Sequence, residues 1–176
     1  MTTIETPNGP LTLRPALEAD AENFRALRLE ALRSHPDVFS ADYTVNEQQP
    51  LEFWQGRLRG LGSEGMIFFA EHNAALVGMS GIRRGDSPKT RHSAMIWGVY
   101  LRPEWRSLHV AEGLLNQCLA WAQTQQVKIV KLAVVSTNAA AIRCYARCGF
   151  TVYGIEPQAL ELDGLLYDEL LMSRLV

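Results

Sequence analysis

The chain has 176 residues, 47% hydrophobic and 20% charged, an ordinary balance for a globular protein and a length suited to one domain with a real core. Its 17 Lys and Arg against 19 Asp and Glu give a net charge of −2, with no concentrated basic stripe of the kind that binds phosphate backbones. No apolar run approaches the roughly 20 residues of a membrane span.

These properties leave no nucleic-acid partner and no membrane partner to expect. Residues 1–10 lack a basic segment followed by an apolar stretch, so cytoplasmic is the default localisation. The three cysteines, Cys118, Cys144 and Cys148, form an odd set that argues against a disulfide framework. Cys144 and Cys148 have no histidine near them in sequence, and no metal is expected.

In chain order, residues 11–14 alternate and read as a first strand, stopped at Pro15. Residues 18–33 carry Phe24, Leu27, Leu29, Ala31 and Leu32 at helical spacing, with Asp20 near the positive end of the dipole. Residues 37–49 form a polar loop holding Phe39 and Tyr43. Residues 51–61 read as a second helix, entered through Pro50 and ended by Gly60 or Gly62. Residues 66–71 and 75–84 flank His72-Asn73 as an antiparallel hairpin. A loop at 85–91 leads to a strand at 92–101, which Pro103 ends.

The strongest periodic signal follows. Ala111, Leu114, Leu115, Cys118, Leu119 and Ala122 make one apolar stripe. Residues 128–135 are nearly continuous apolar, as in a strand covered on both faces. Strand, helix and strand in this order imply a right-handed parallel crossover. Asn138 opens a helix that reaches about Cys148, with Gly149 as its terminator. Residues 150–155 form a strand. Residues 160–162, the turn Asp163-Gly164 and residues 165–175 close the chain as a hairpin.

Two places carry chemistry. Residues 102–113, RPEWRSLHVAEG, join a strand to a helix N-terminus, where free N–H groups and the dipole bind anions; a plain connection is the bland reading. Asn138 and Tyr145 lie seven apart on one helix face. Capping and core packing explain each of them separately. The turn at 102–113 and this helix together stand at the ends of adjacent parallel strands, where ligands of α/β sheets bind.

Residues 99–150 resemble the GNAT superfamily of acyl-CoA-dependent N-acyltransferases. That family's pyrophosphate turn reads Gln/Arg-x-x-Gly-x-Gly/Ala, and Arg106-Ser107-Leu108-His109-Val110-Ala111 occupies it here. Its later signature, Asn-x-x-Ala-x-x-x-Tyr-x-x-x-Gly-Phe, is met by Asn138, Ala141, Tyr145, Gly149 and Phe150. The order of elements over residues 11–175 is similar too. His109 departs from the usual glycine. It either keeps a helical conformation and offers its side chain to phosphate, or narrows the site.

The resemblance implies a mixed α/β (α+β) fold over residues 1–176. Its central sheet would be mostly antiparallel, of about seven strands, with a parallel βαβ core and four flanking helices. Acetyl-CoA would be the co-substrate, lying between the strands at 92–101 and 128–135. Backbone groups of Val99, Tyr100 and Leu101 would pair with its pantetheine arm. Amides of Arg106, Ser107, Leu108, His109, Val110, Ala111 and Glu112 would hold its pyrophosphate, and Asn138 would contact the arm.

The implied reaction is N-acetyl transfer to a primary amine by direct attack in a ternary complex, with Tyr145 protonating the leaving thiolate. The acceptor is a small-molecule or peptide amine, contacted by residues 30–54, 85–91 and 156–167. Phe39, Tyr43, Phe53 and Trp54 suggest an apolar wall. Glu30, Asp42 and Glu47 read as solvated acids and His92 as an exposed histidine, so none is assigned as the base. The alternative is a non-catalytic CoA-binding or protein-interaction module on the same fold; His109 favours it, and Asn138 and Tyr145 disfavour it. A homodimer through the final hairpin or an exposed helix is compatible with the sequence.

Overall fold

Strand residues that alternate between two apolar faces need cover on both sides, and the helices supply it. The computed structural model describes residues 1–176. Its strands are β1 (Thr2–Ile4), β2 (Leu11–Pro15), β3 (Gly65–His72), β4 (Ala75–Arg84), β5 (Ser93–Leu101), β6 (Ile129–Val135), β7 (Thr151–Leu162) and β8 (Leu165–Leu175). They form one sheet in the order β1-β2-β3-β4-β5-β6-β8-β7, antiparallel everywhere except between β5 and β6. The helices are α1 (Ala21–Ser34), α2 (Tyr43–Glu47), α3 (Leu51–Arg59), α4 (Val110–Thr124) and α5 (Ala139–Arg147). None is long and apolar enough to cross a membrane.

Along β3, Phe68 and Ala70 face Leu114, Leu115 and Cys118 of α4, while Ile67 and Phe69 face Phe24 and Leu27 of α1 and Trp54 of α3. Phe24 meets the edge of Trp54 at 5.3 Å and tilts on Phe69 at 5.7 Å. The sheet is thus the middle layer, with α1 and α3 on one face and α4 on the other.

The mixed, mostly antiparallel sheet with its parallel crossover is as expected, and it has one more strand and one more helix than expected. Both additions are short. The three residues of β1 are ordered by pairing with Leu11–Leu13. The five of α2 lie inside the expected polar loop, where Asp42 caps them by accepting from the Val45 N–H at 2.9 Å. The hairpin turn falls on Asn73-Ala74, both at positive φ, one residue later than expected. Residues 150–155 and 160–162 belong to one strand, β7, with a register break between Glu156 and Leu160.

α1 differs from expectation in one telling place. It buries Phe24, Leu27, Arg28, Ala31 and Leu32, while Leu29 is only half-buried. A cation therefore stands on the apolar face.

β5 and β6 hold together through only Ser93↔Ile129, Ala94↔Val130 and Met95↔Lys131. Beyond these, β6 stays with β8 up to Val135↔Glu169, and β5 stays with β4 up to Leu101↔Gly78. β5 carries one extra residue between the pairs Gly81↔Trp97 and Met79↔Tyr100. That bulge contains Gly98 at φ 63, a left-handed conformation that glycine takes at least cost.

The entry to α1 is held by charge. Asp20 accepts two bonds from Arg14 at 2.8 Å and one from the Leu17 N–H at 2.7 Å, while Arg14 Nε also reaches Glu71 at 2.7 Å. Burial pushes the Asp20 carboxyl up, but Arg14 and the Leu17 N–H outweigh it and hold the carboxyl below its ordinary 3.8. A carboxyl depressed on folding stabilises above its unfolded pKa, and that stability is lost as pH falls through the folded value. Asp20→Asn should therefore cost about 2 kcal/mol at neutral pH. In urea titrations its deficit against wild type should close only in acid below 3.8, and a deficit unchanged there would contradict the assignment.

Candidate active site

Where β5 and β6 part, a cavity of about 780 Å³ opens. Its walls are β5 from Met95 to Leu101, and Leu132, Ala133 and Val134 of β6 with Glu169 of β8. The start of α4, one face of α5, Arg28 of α1, His35 and residues 38–40 complete the lining. From Ile96 onward, the β5 edge that faces β6 has no partner strand. Its N–H and C=O groups are open to an extended ligand, except that the Leu101 carbonyl already accepts from Arg106 Nε at 3.0 Å.

The turn into α4 presents donors. The N–H groups of residues 107–111 bond to no acceptor within the chain, and Ser107 and His109 both have positive φ, 61 and 59. Left-handed residues beside a helix N-terminus make an anion-binding concavity. All of Arg106, Ser107, His109, Val110, Ala111 and Glu112 line the cavity. Leu108 does not, because its side chain packs on the α4-side core, so only its backbone can serve a ligand. The Arg106 guanidinium is turned to the Leu101 carbonyl and to His35 Nε2, at 2.9 Å.

His109 does not take the helical course. It is not helical, since φ 59 and ψ 13 place it in the left-handed region a glycine would take. Its side chain is 78% exposed, with Nδ1 at 3.3 Å from Glu112. Glu112 is bound in turn by Arg147 of α5 at 2.6 Å. Burial pushes the Glu112 carboxyl up, but Arg147, the Glu112 backbone N–H and His109 together outweigh it and hold the carboxyl below its ordinary range.

Asn138 caps α5 by accepting from the Ala141 N–H at 3.2 Å, which leaves its amide NH₂ for the cavity it lines. Tyr145 lines the same cavity, is 8% exposed and packs on Phe150. Its hydroxyl has no hydrogen bond within the chain. Burial first, then Cys144 and Cys148, push its pKa above the ordinary value, so the phenol is protonated throughout the neutral range.

The lining also holds residues that reasoning from sequence did not assign. Arg28 of α1 is 5% exposed, and its Nε and Nη1 are enclosed without a partner. Its guanidinium lies 4.8 Å from the Phe39 ring centre. Trp97 lies against Gly81, where any Cβ would collide with the indole. Glu169 carries no ion pair, and burial, then Glu156, raise its pKa. A charged residue at position 28 of an otherwise apolar helical face was the available signal.

Of the expected apolar wall only Phe39 lines the cavity; Trp54 is core, Tyr43 bonds Arg33 and Glu47, and Phe53 lies against Trp54. None of residues 85–91 or 156–167 lines it. Glu30 is not a solvated acid, since Tyr100 donates to it at 2.9 Å and Arg102 at 2.8 Å.

A left-handed non-glycine residue costs roughly 1–2 kcal/mol. His109→Gly relieves that strain, whereas His109→Ala keeps it, and both lose the Glu112 contact. The glycine variant should therefore exceed the alanine variant in stability by about 1 kcal/mol in chemical denaturation. Equal stabilities would mean that the turn is unstrained.

Residues 20–150 match the acetyltransferase (GNAT) family. Over 139 residues, 79% of this chain, the sequence is 30% identical to a mycothiol acetyltransferase of Brachybacterium faecium, of whose length the chain spans 40%. Solved structures share the fold. An acetyltransferase of the GNAT family from Streptococcus pneumoniae superposes with TM-score 0.84 at 22% identity, over 94% of this chain and 99% of that one. The yncA protein of Salmonella typhimurium with its cofactor acetyl-CoA gives TM-score 0.79 at 22% identity, over 94% and 93%. A phosphinothricin acetyltransferase of Sinorhizobium meliloti in complex with acetyl-CoA gives 0.81 at 18% identity, over 94% and 88%. The open strand edge, the donor-rich turn and the matched segment agree, and the chain belongs to the acetyltransferase (GNAT) family.

Proposed function

We propose that residues 1–176 act as one N-acetyltransferase domain, moving an acetyl group from acetyl-CoA to a primary amine by direct attack in a ternary complex. The observation that carries this reading is the gap between β5 and β6, with an unpaired strand edge on one wall and a free-donor turn at its end. The two acetyl-CoA complexes of the same fold support the same co-substrate here. When bound, it supplies an activated thioester.

The N–H groups of residues 107–111 hold the pyrophosphate, with Leu108 contributing backbone alone. The β5 edge at Val99 and Tyr100 pairs with the pantetheine arm, and the Asn138 amide donates to it. A backbone N–H near Val99 donates to the thioester oxygen as negative charge builds there. The C–N bond forms as the C–S bond breaks. Tyr145 gives its proton to the sulfur, and Glu169, the cavity carboxylate without a cationic partner, takes the proton the amine loses. His109 keeps a glycine-like backbone, so the turn does not favour the non-catalytic alternative.

Calorimetric titration with acetyl-CoA, with adenosine diphosphate as control, tests the co-substrate; no binding at millimolar concentration would end the proposal. Tyr145→Phe should bind acetyl-CoA as wild type does, while thiol release falls about 100-fold. Unchanged turnover would remove Tyr145 from the reaction. A base works deprotonated, so kcat/KM should fall as pH drops through the raised Glu169 pKa, above 4.5. Glu169→Gln should lower the rate and abolish that acid limb, and a surviving limb would assign the base elsewhere.

A further inference from the structure

Arg28 has no task in the reaction above and no partner in the fold. It stands on the buried face of α1 between Leu27 and Ala31, where an apolar side chain would pack without loss. No hydrogen bond leaves its guanidinium, and Nε and Nη1 are sealed from solvent by protein. Burial first, then the like charge of Arg57, push its pKa down to about 10, so it stays cationic at neutral pH. The Phe39 face offsets only part of the cost of burying a charge. An arginine kept for the fold would have an acid beside it. This one lines the cavity instead.

Its place in the cavity identifies what it serves. Nη1 lies against the β5 bulge, since a Cβ on Gly98 would come within 3.4 Å of it. The bulge adjoins Val99, where the thioester is proposed to react. The phosphates of the co-substrate have their own donors at the α4 turn, so the anion for Arg28 belongs to the acceptor. Phe39 beside it and Trp97 next along β5 give that part of the cavity apolar faces. On the opposite wall stands Glu169, a carboxylate equally without an ion pair.

We propose that the acceptor is a small amine bearing a carboxylate, an amino-acid-like molecule whose carboxylate is held by Nη2 of Arg28, the one guanidinium nitrogen that the protein does not enclose, while its amine faces Glu169 and the β5 edge. The amine half of this inference rests on the acetyl-transfer reading; the carboxylate half is measurable by binding alone.

The test titrates α-amino acids with apolar side chains, each against its carboxamide and its decarboxylated amine, with and without saturating CoA. Wild type should bind the acids about tenfold or more tighter than the amides, because an amide leaves the buried cation unpaired. Arg28→Met should bring the two within about twofold, and Arg28→Lys should keep part of the preference. Without ligand, Arg28→Met should raise the thermal midpoint, because it replaces an unpaired buried charge with an apolar side chain; a structural arginine would lower it.

Equal binding of acids and amides, a preference that survives Arg28→Met, or a lowered midpoint would overturn the proposal. Tighter binding of the matching aminophosphonates would replace the carboxylate by another anion, which also overturns it as stated. Acetyl-CoA binding by the same preparations reports separately. Its absence sinks the acetyl-transfer reading and leaves the acid–amide contrast standing on its own.

Discussion

The candidate site in this chain depends on β5 and β6 ceasing to be neighbours. Three residue pairs join them, and then each strand remains loyal to its other partner. β6 cannot follow β5, because its pairing with β8 continues to its last residue, Val135. β5 cannot straighten toward β6, because an extra residue opposite β4 bends it at Gly98. A fully paired crossover would have used all its main-chain groups internally. The divergence leaves a run of N–H and C=O groups facing a cavity, which the sheet's own logic says an extended, strand-like arm should satisfy.

A second constraint ties the two ends of that gap together. The turn before α4 buys its inward-facing donors with two left-handed residues, Ser107 and His109, at roughly 1–2 kcal/mol each. Such strain persists only where surroundings over-determine it. Glu112, one residue past the free donors, is held between His109 and Arg147. Arg147 sits two residues after Tyr145 on α5. The donor-rich turn and the helix that carries Tyr145 are therefore joined by one charged linkage between α4 and α5.

Most of the frame was legible because its signals are local. The α4 stripe, the Asn138 cap and the Gly149 terminator each declare themselves within a few residues, and all three stand where expected. β1 and α2 were not legible, because three and five residues have too little periodicity and form through their neighbours. At the site, the segment running from Arg106 through Asn138 to Tyr145 could be read from spacing and resemblance. Trp97 and Glu169 could not, since which face a strand residue takes past a bulge depends on register. Arg28 escaped for a different reason. Counting apolar residues along α1 selects Leu29, whereas the spacing of Phe24, Leu27, Ala31 and Leu32 puts position 28 on the inward face, and the structure places the cation there.

That last failure of pattern is where the chemistry of recognition is written. A sequence selected for stability alone would not place a guanidinium among Phe24, Leu27 and Ala31 with no acid in reach, since a lone buried charge costs several kcal/mol. Nor would it leave a carboxylate unpaired in a half-buried position on the far wall of the same cavity. The two opposite charges do not neutralise each other, because they sit on different elements with the cavity between them. Each is incomplete alone, and together they complement one small molecule carrying an ammonium and a carboxylate. The proposed acceptor would answer both charges from within the cavity. On the proposed function, binding would supply stabilisation that the empty protein lacks, in the place where the amine would be oriented toward the thioester.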